Sequence, residues 1–240
     1  MSNSIFLWKF ILMLVTAGIS THTNELVFIS KTKISVPEPS GLTYHNGRLF
    51  AISDATPFMY QLSLDGELEK KFFVKKEDLE GISYIEKTKE FVLISESKRS
   101  IIYYSLYDGI GKSYKLKGKQ KSENKGLEGV CYNARKKSLY VLNEANPKEL
   151  LEISPKGKIK QSYDLNFSKD VSGIVYDSKL DVYWVLSDES QALFKVSNKG
   201  KELQKFPLSI KKPEGIALDI NRRLYIVSDL KSELFVYQLK

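Results

Sequence analysis

Leu79-Glu80-Gly81-Ile82-Ser83-Tyr84 and Leu127-Glu128-Gly129-Val130-Cys131-Tyr132 are one hexapeptide written twice. Both put Glu before Gly and an aliphatic residue after it. Working outward, the same frame recurs at Pro39-Ser40-Gly41-Leu42-Thr43-Tyr44, Val171-Ser172-Gly173-Ile174-Val175-Tyr176 and Pro213-Glu214-Gly215-Ile216-Ala217-Leu218. The five glycines stand 40, 48, 44 and 42 residues apart. Self-similarity at this period signals a repeat architecture.

Each repeat continues in the same way. A second apolar run ends in an acid: Phe50 to Asp54, Val92 to Glu96, Tyr140 to Glu144, Val185 to Asp188 and Ile226 to Asp229. Each acid follows its glycine by 13 to 15 residues. A third strand comes next, such as Met59 to Leu64 or Leu193 to Ser197. A fourth, more alternating one follows in places, as in Lys158 to Leu165 and Lys201 to Leu208. Four short strands per period predict the blade of an all-β, five-bladed β-propeller. An open solenoid or a sandwich is the alternative. The chain ends after the third strand of repeat five, and Glu25 to Val36 precedes repeat one unused. That segment is expected to complete the last blade, closing the ring and covering its edge.

Residues two after each glycine (Thr43, Ser83, Cys131, Val175, Ala217) are all small. Alternation puts them on one face of the inner strand, and the expectation is that they sit where blades converge near the axis. Cys131 then reads as a buried apolar residue. The glycines are expected to permit close backbone approach or an unusual turn.

The residue before Gly begins the first strand and the recurring acid ends the second. Antiparallel pairing brings both to the same end of the hairpin. One mouth of the ring should therefore gather Glu80, Glu128 and Glu214 with Asp54, Glu96, Glu144, Asp188 and Asp229. Asp78, Asp170 and Glu189 are close in sequence. Crowded carboxylates need protons, basic partners or a metal. Oxygen donors without His or Cys select hard cations such as calcium. Glu80, Glu128, Glu214, Asp170 and Asp188 are the candidate metal ligands; Asp54, Glu96, Glu144 and Asp229 are candidate ligand-binding residues. The alternative is that each acid accepts backbone N–H bonds in its own turn. Ser40 and Ser172 interrupt the Glu pattern, as an asymmetric site requires.

Composition narrows the chemistry. The 240 residues hold one Cys and two His, with a formal charge of +8. That leaves no disulfide framework, no Cys-based zinc site and little room for His-dependent catalysis. No nucleophile elbow, phosphate loop or dinucleotide fingerprint is present. His45 lies in Tyr44-His45-Asn46-Gly47, a hairpin turn. The lysines of Lys115 to Lys125, Arg135 to Lys137 and Lys211-Lys212 lie in loops and outer turns. Lys115 to Lys125 lacks the interleaved aromatic surface that nucleic-acid binding would use; attraction to an anionic membrane surface fits better. At the N-terminus, Phe10 to Ile19 is an uninterrupted apolar run of ten residues. That length suits a signal peptide cut after Ser20, and an uncleaved anchor over Ile5 to Ile19 is the alternative. Cleavage would remove only Lys9, lowering the charge to +7. His22 would then lie near the new terminus.

Asp78-Leu79-Glu80-Gly81-Ile82, Gly126-Leu127-Glu128-Gly129-Val130, Asp170-Val171-Ser172-Gly173, Val185-Leu186-Ser187-Asp188-Glu189-Ser190 and Pro213-Glu214-Gly215-Ile216-Ala217 resemble, in order, the SdiA-regulated (YjiK-like) family. Asn143-Glu144-Ala145-Asn146-Pro147 is similar to an element of its middle repeat. The resemblance runs from about Pro37 to Lys240. It implies a β-propeller, an N-terminal export signal or anchor, an association with calcium and no established reaction. The family's usual Ser-Glu-Pro-Asn is Ser228-Asp229-Leu230-Lys231 here, a departure at Asp229.

The expectation is an exported monomer, periplasmic or associated with the cell envelope. It binds calcium and an unidentified ligand or protein at an acidic mouth, with no nucleic-acid partner. Membrane association would run through the N-terminus. The alternative is a calcium-dependent hydrolase of phosphoesters or lactones at that mouth, with Glu128 among the candidate bases.

Overall fold

The computed structural model describes residues 25–117, 126–144 and 147–240. The N-terminal apolar run, His22, most of the Lys115 to Lys125 stretch, and Ala145-Asn146 lie outside the described residues. All regular structure among the described residues is β.

Strand β1 spans Leu26–Lys33. The first blade holds β2 (Pro39–His45), β3 (Arg48–Ser53), β4 (Phe58–Leu62) and β5 (Leu68–Phe73). The second holds β6 (Leu79–Ile85), β7 (Glu90–Ser95), β8 (Ser100–Ser105) and β9 (Gly109–Lys115). The third holds β10 (Leu127–Asn133), β11 (Ser138–Asn143), β12 (Glu149–Ile153) and β13 (Ile159–Asp164). The fourth holds β14 (Ile174–Asp177), β15 (Val182–Ser187), β16 (Ala192–Val196) and β17 (Glu202–Pro207). The fifth runs β18 (Pro213–Leu218), β19 (Arg223–Ser228) and β20 (Glu233–Leu239). Strand β1 then pairs antiparallel with β20 as its outer strand. The protein is a five-bladed β-propeller closed by its N-terminal strand, as the unused segment foretold.

Apolar burial is divided among five cores, each shared by two neighbouring blades. Phe91 and Leu93 of β7 pack with Phe50 and Ile52 of the first blade. Val92 and Ile94, on the other face of β7, pack with Leu139 and Val141 of the third. This is why the second strands are apolar on both faces: a sheet covered on both sides has no solvent face to alternate with. The outer strands alternate weakly and are mostly exposed. One core closes the ring, joining Leu42, Ala51 and Leu62 of the first blade to Tyr225, Val227 and Leu234 of the fifth.

The inner-strand glycines work by proximity. A Cβ on Gly81 would lie 2.5 Å from the Glu128 carbonyl oxygen, and one on Gly173 would lie 2.3 Å from that of Glu214. On Gly215 it would meet the Leu42 nitrogen at 2.6 Å, where the last blade meets the first. The small residues two positions on serve the neighbouring blade, not the axis. The Ser83 hydroxyl accepts the Tyr132 N–H at 3.0 Å, and Cys131 is buried between blades three and four. The axis is lined by the glycines and by Leu42, Ile82, Val130, Ile174 and Ile216, around a void of about 10 Å³. That is room for about one water molecule. The ring is closed at its centre.

At the far end, Asn46 (φ 47°) and Gly47 (φ 74°) form the tight turn between β2 and β3. His45 stacks on Tyr84, with ring centroids 3.6 Å apart, and meets Glu86 at 3.0 Å. It has a structural partner on each side and stands at the end opposite the acids.

Gly81→Ala and Gly173→Ala are expected to cost about 1–3 kcal/mol by overpacking backbone against backbone. The urea midpoint reads this. Gly111→Ala, where a Cβ would meet nothing nearer than 3.4 Å, should be close to neutral.

Candidate functional site

The inner strands carry an irregularity that alternation does not reveal. Pairing jumps from Pro39↔Ser53 to Gly41↔Ile52, from Leu79↔Ser95 to Gly81↔Ile94, and from Pro213↔Ser228 to Gly215↔Val227. A similar break separates Leu127 from Val130. Ser40, Glu80 and Glu214 are therefore the extra residues of β-bulges, and Glu128 lies within the equivalent break. A bulge bends the strand and re-aims the unpaired side chain. Here it delivers the residue before Gly to the mouth.

The mouth is a cup of about 350 Å³ whose lining includes Asp54, Asp78, Glu80, Glu96, Glu128, Glu214 and Asp229. Glu38 and Lys212 also line it. These last two were not expected. Both stand three residues before a repeat glycine, a position held in the other blades by Asp78, Gly126 and Asp170. Comparing that position across repeats would have found them.

The carboxylates are distributed unevenly. Ligand oxygens of Asp78, Glu80 and Glu96 lie within 4.8 Å of one another. Burial, then the charges of Glu128, Asp78, Asp54 and Glu96, push the Glu80 carboxyl far above the usual range. Glu128 is raised by burial and then by Glu96, Glu144 and Glu214. Burial raises Glu96 to about 7, although the Gly126 N–H donates to it at 2.6 Å. Glu214 is raised to about 8 by burial and by Asp188 and Asp229, with Lys212 opposing. Asp54 is raised by burial, then by Glu38 and Asp229. Opposite the dense side, Lys212 Nζ meets Asp229 at 3.0 Å. Among the described residues, the cup thus has an acid-rich wall on blades two and three and one lining lysine, on blade five.

Other acids of the pattern are occupied by the backbone and do not line the cup. Asp170 is buried; the Ser187 hydroxyl donates to it, and the Glu189 N–H reaches both its oxygens at 3.1 and 3.2 Å. Asp188 accepts the Lys212 N–H at 2.9 Å and the Gln191 amide at 3.1 Å. Glu144 acts on Glu96 and Glu128 through its charge. Turn capping and a gathered pocket both occur, at different residues. The two serines that interrupt the Glu pattern bond the next blade: Ser40 donates to the Leu79 carbonyl, and Ser172 to that of Pro213 at 2.6 Å.

The loop before the dense wall is tied by ion pairs. Glu77, its side chain 2% exposed, takes Lys75 at 2.5 Å and Lys98 at 2.7 Å on one oxygen. That clamp adjoins Asp78 in the chain.

Raised carboxyls make the metal-free protein sensitive to alkali. Each binds its proton more tightly folded than unfolded, so its contribution is complete below the ordinary value of 4.5. It is lost as pH rises through about 7 for Glu96 and about 8 for Glu214. The melting temperature of chelator-treated protein should fall between pH 6 and pH 9 by several degrees, on the order of a kcal/mol or two of stability. Glu214→Gln should flatten the upper part of that slope.

The fold has solved counterparts. A Myxococcus xanthus glutaminyl cyclase superposes with a TM-score of 0.73 at 14% identity, covering 90% of this chain and 96% of that one. A streptogramin B lyase gives 0.55 at 16% identity, covering 90% and 72%. A Staphylococcus aureus virginiamycin B lyase gives 0.53 at 14%, covering 87% and 69%. At such identities the likeness is one of fold. The sequence itself matches the SdiA-regulated family over residues 23–238, which is nearly the whole chain, and the protein belongs to that family.

Proposed function

We propose that this is an exported propeller whose cup binds a hard cation, with calcium the best-fitting ion, together with a small ligand or a protein segment. The observation that carries this reading is the closeness of Asp78, Glu80 and Glu96, whose oxygens lie within 4.8 Å of one another. Oxygens around one calcium ion, each about 2.4 Å from it, are separated by no more than about 4.8 Å. The donor set holds neither His nor Cys, which suits calcium over zinc or copper. Glu128 borders the same wall and is the natural further ligand. A cation would replace the protons that these carboxyls otherwise hold. It would leave Glu214, Lys212 and Asp229 across the cup to face whatever else enters. The cup volume of about 350 Å³ falls in the range of small-ligand pockets.

One observation favours a second reading. Glu96 and Glu214, at about 7 and about 8, straddle the pH at which a general acid or base is most effective. A metal-dependent hydrolase would use the acid-rich wall for the ion and Glu128 as base toward water. The likeness to a glutaminyl cyclase adds that cyclisation is chemistry one such fold supports, by analogy alone.

Calorimetric titration of metal-free protein with calcium distinguishes the readings. Saturable heat and a raised melting temperature are expected. Glu80→Gln should weaken affinity by about tenfold or more, whereas Asp170→Asn should lower stability and leave affinity near wild type. No heat and no thermal shift would end the cation reading. Ester or phosphoester turnover that depends on calcium and disappears in Glu128→Gln would establish the second.

A further inference from the structure

We propose that the end of the propeller opposite the cup docks on an anionic lipid bilayer. The first two strands of every blade turn at that end. On blades three to five those turns are residues 134–137, 178–181 and 219–222. They form one continuous surface: Arg135 donates to the Ser178 carbonyl at 2.7 Å, and a cavity of about 190 Å³ lies between Lys179 and Ile220.

Its chemistry suits a lipid headgroup region. Lys136, Lys137 and Lys179 are exposed. The acids nearby are paired, Asp177 and Asp219 inward and Asp181 at the surface, where Arg135 and Asn198 also reach it. Asp177 takes Arg222 at 2.8 Å and the Trp184 indole at 3.1 Å. Asp219 takes Arg223 at 2.9 Å and Tyr225 at 3.1 Å. Asp181 takes Tyr176 at 2.6 Å. The lysines are therefore the outward charge. Among them Ile220 is 83% exposed and Leu180 38%, in turns where nothing in folding calls for an aliphatic side chain. Basic residues around protruding aliphatics match a surface that attracts cations and then accepts apolar atoms.

The chain's entry point favours the same occupant. Glu25 accepts the Lys240 N–H at 3.0 Å, and the next residue in from that end, Leu239, donates to the Arg222 carbonyl at 3.0 Å. The chain thus enters beside the turn that carries Ile220. Five residues separate Glu25 from the apolar run Phe10 to Ile19, and the six Cα–Cα steps between Ile19 and Glu25 reach at most about 22 Å. While that run remains attached, it holds this end of the ring near whatever membrane the run enters. The cup then faces away from the lipid.

The test uses full-length protein and vesicles of phosphatidylcholine alone or mixed with phosphatidylglycerol. Wild type should prefer the anionic vesicles. Lys136→Glu, Lys137→Glu and Lys179→Glu together should reduce that preference by about tenfold or more. The same charge change on cup-side loops, at Lys76, Lys169 and Lys231, should reduce it far less. An environment-sensitive dye on Ile220→Cys (Cys131 being buried) should shift to the blue on anionic vesicles, and a dye on Glu38→Cys should not. Equal loss from both lysine sets would overturn the proposal, as would equal shifts from both dyes. A silent Ile220 dye would do the same without depending on any charge variant.

Discussion

The structure depends on how closely one blade's inner strand can approach the next. A glycine in each repeat leaves no side chain between the strands, so the Glu128 and Glu214 backbones lie where Cβ atoms of Gly81 and Gly173 would be. That approach keeps the ring small. Five aliphatic residues then fill the axis, leaving about 10 Å³, and the mouth becomes a blind cup instead of a pore. The register break just before Gly41, Gly81, Gly129 and Gly215 completes the arrangement, turning the preceding side chain upward. Packing at the glycine and display at the residue before it are two results of one backbone irregularity.

The cup works against the fold. Bringing Asp78, Glu80, Glu96 and Glu128 together is electrostatically costly. The cost is borne by five inter-blade cores and by a closure strand that removes the free edge. It is relieved locally by protons, by the Gly126 N–H on Glu96 and by Lys212 on the far wall. The contrast with Asp170 is instructive. It stands at the repeat position of Asp78 but is satisfied by a hydroxyl and a backbone N–H. The same place in the repeat can serve a turn or a site, and the neighbours decide which.

Much of this was legible in the residues. Five copies of one hexapeptide gave the blade count, and the missing last strand identified its replacement at the other end of the chain. The acids ending the second strands were placed at the correct end because antiparallel pairing admits no other answer. Three things were not legible. An extra residue in a strand leaves no mark on a short apolar pattern, so the bulges were hidden. Glu38 and Lys212 sit outside the repeated hexapeptide. Alternation alone does not say which face of the inner strand meets the axis, and strand orientation turns the small residues toward the neighbouring blade.

The sequence alone determined the architecture, because a period of 40 to 48 residues with four strands per period has few ways to bury its apolar faces. It also determined that carboxylates would share one end. Only the tertiary structure decided which of them face one another. That depends on distances across the ring, between residues from different blades, and no spacing along the chain encodes it. The bulge at Glu80, the serine bond from Ser40 to Leu79 and the inward turn of Asp170 divided a uniform set of acids into a dense wall, a lysine-bearing wall and several structural caps.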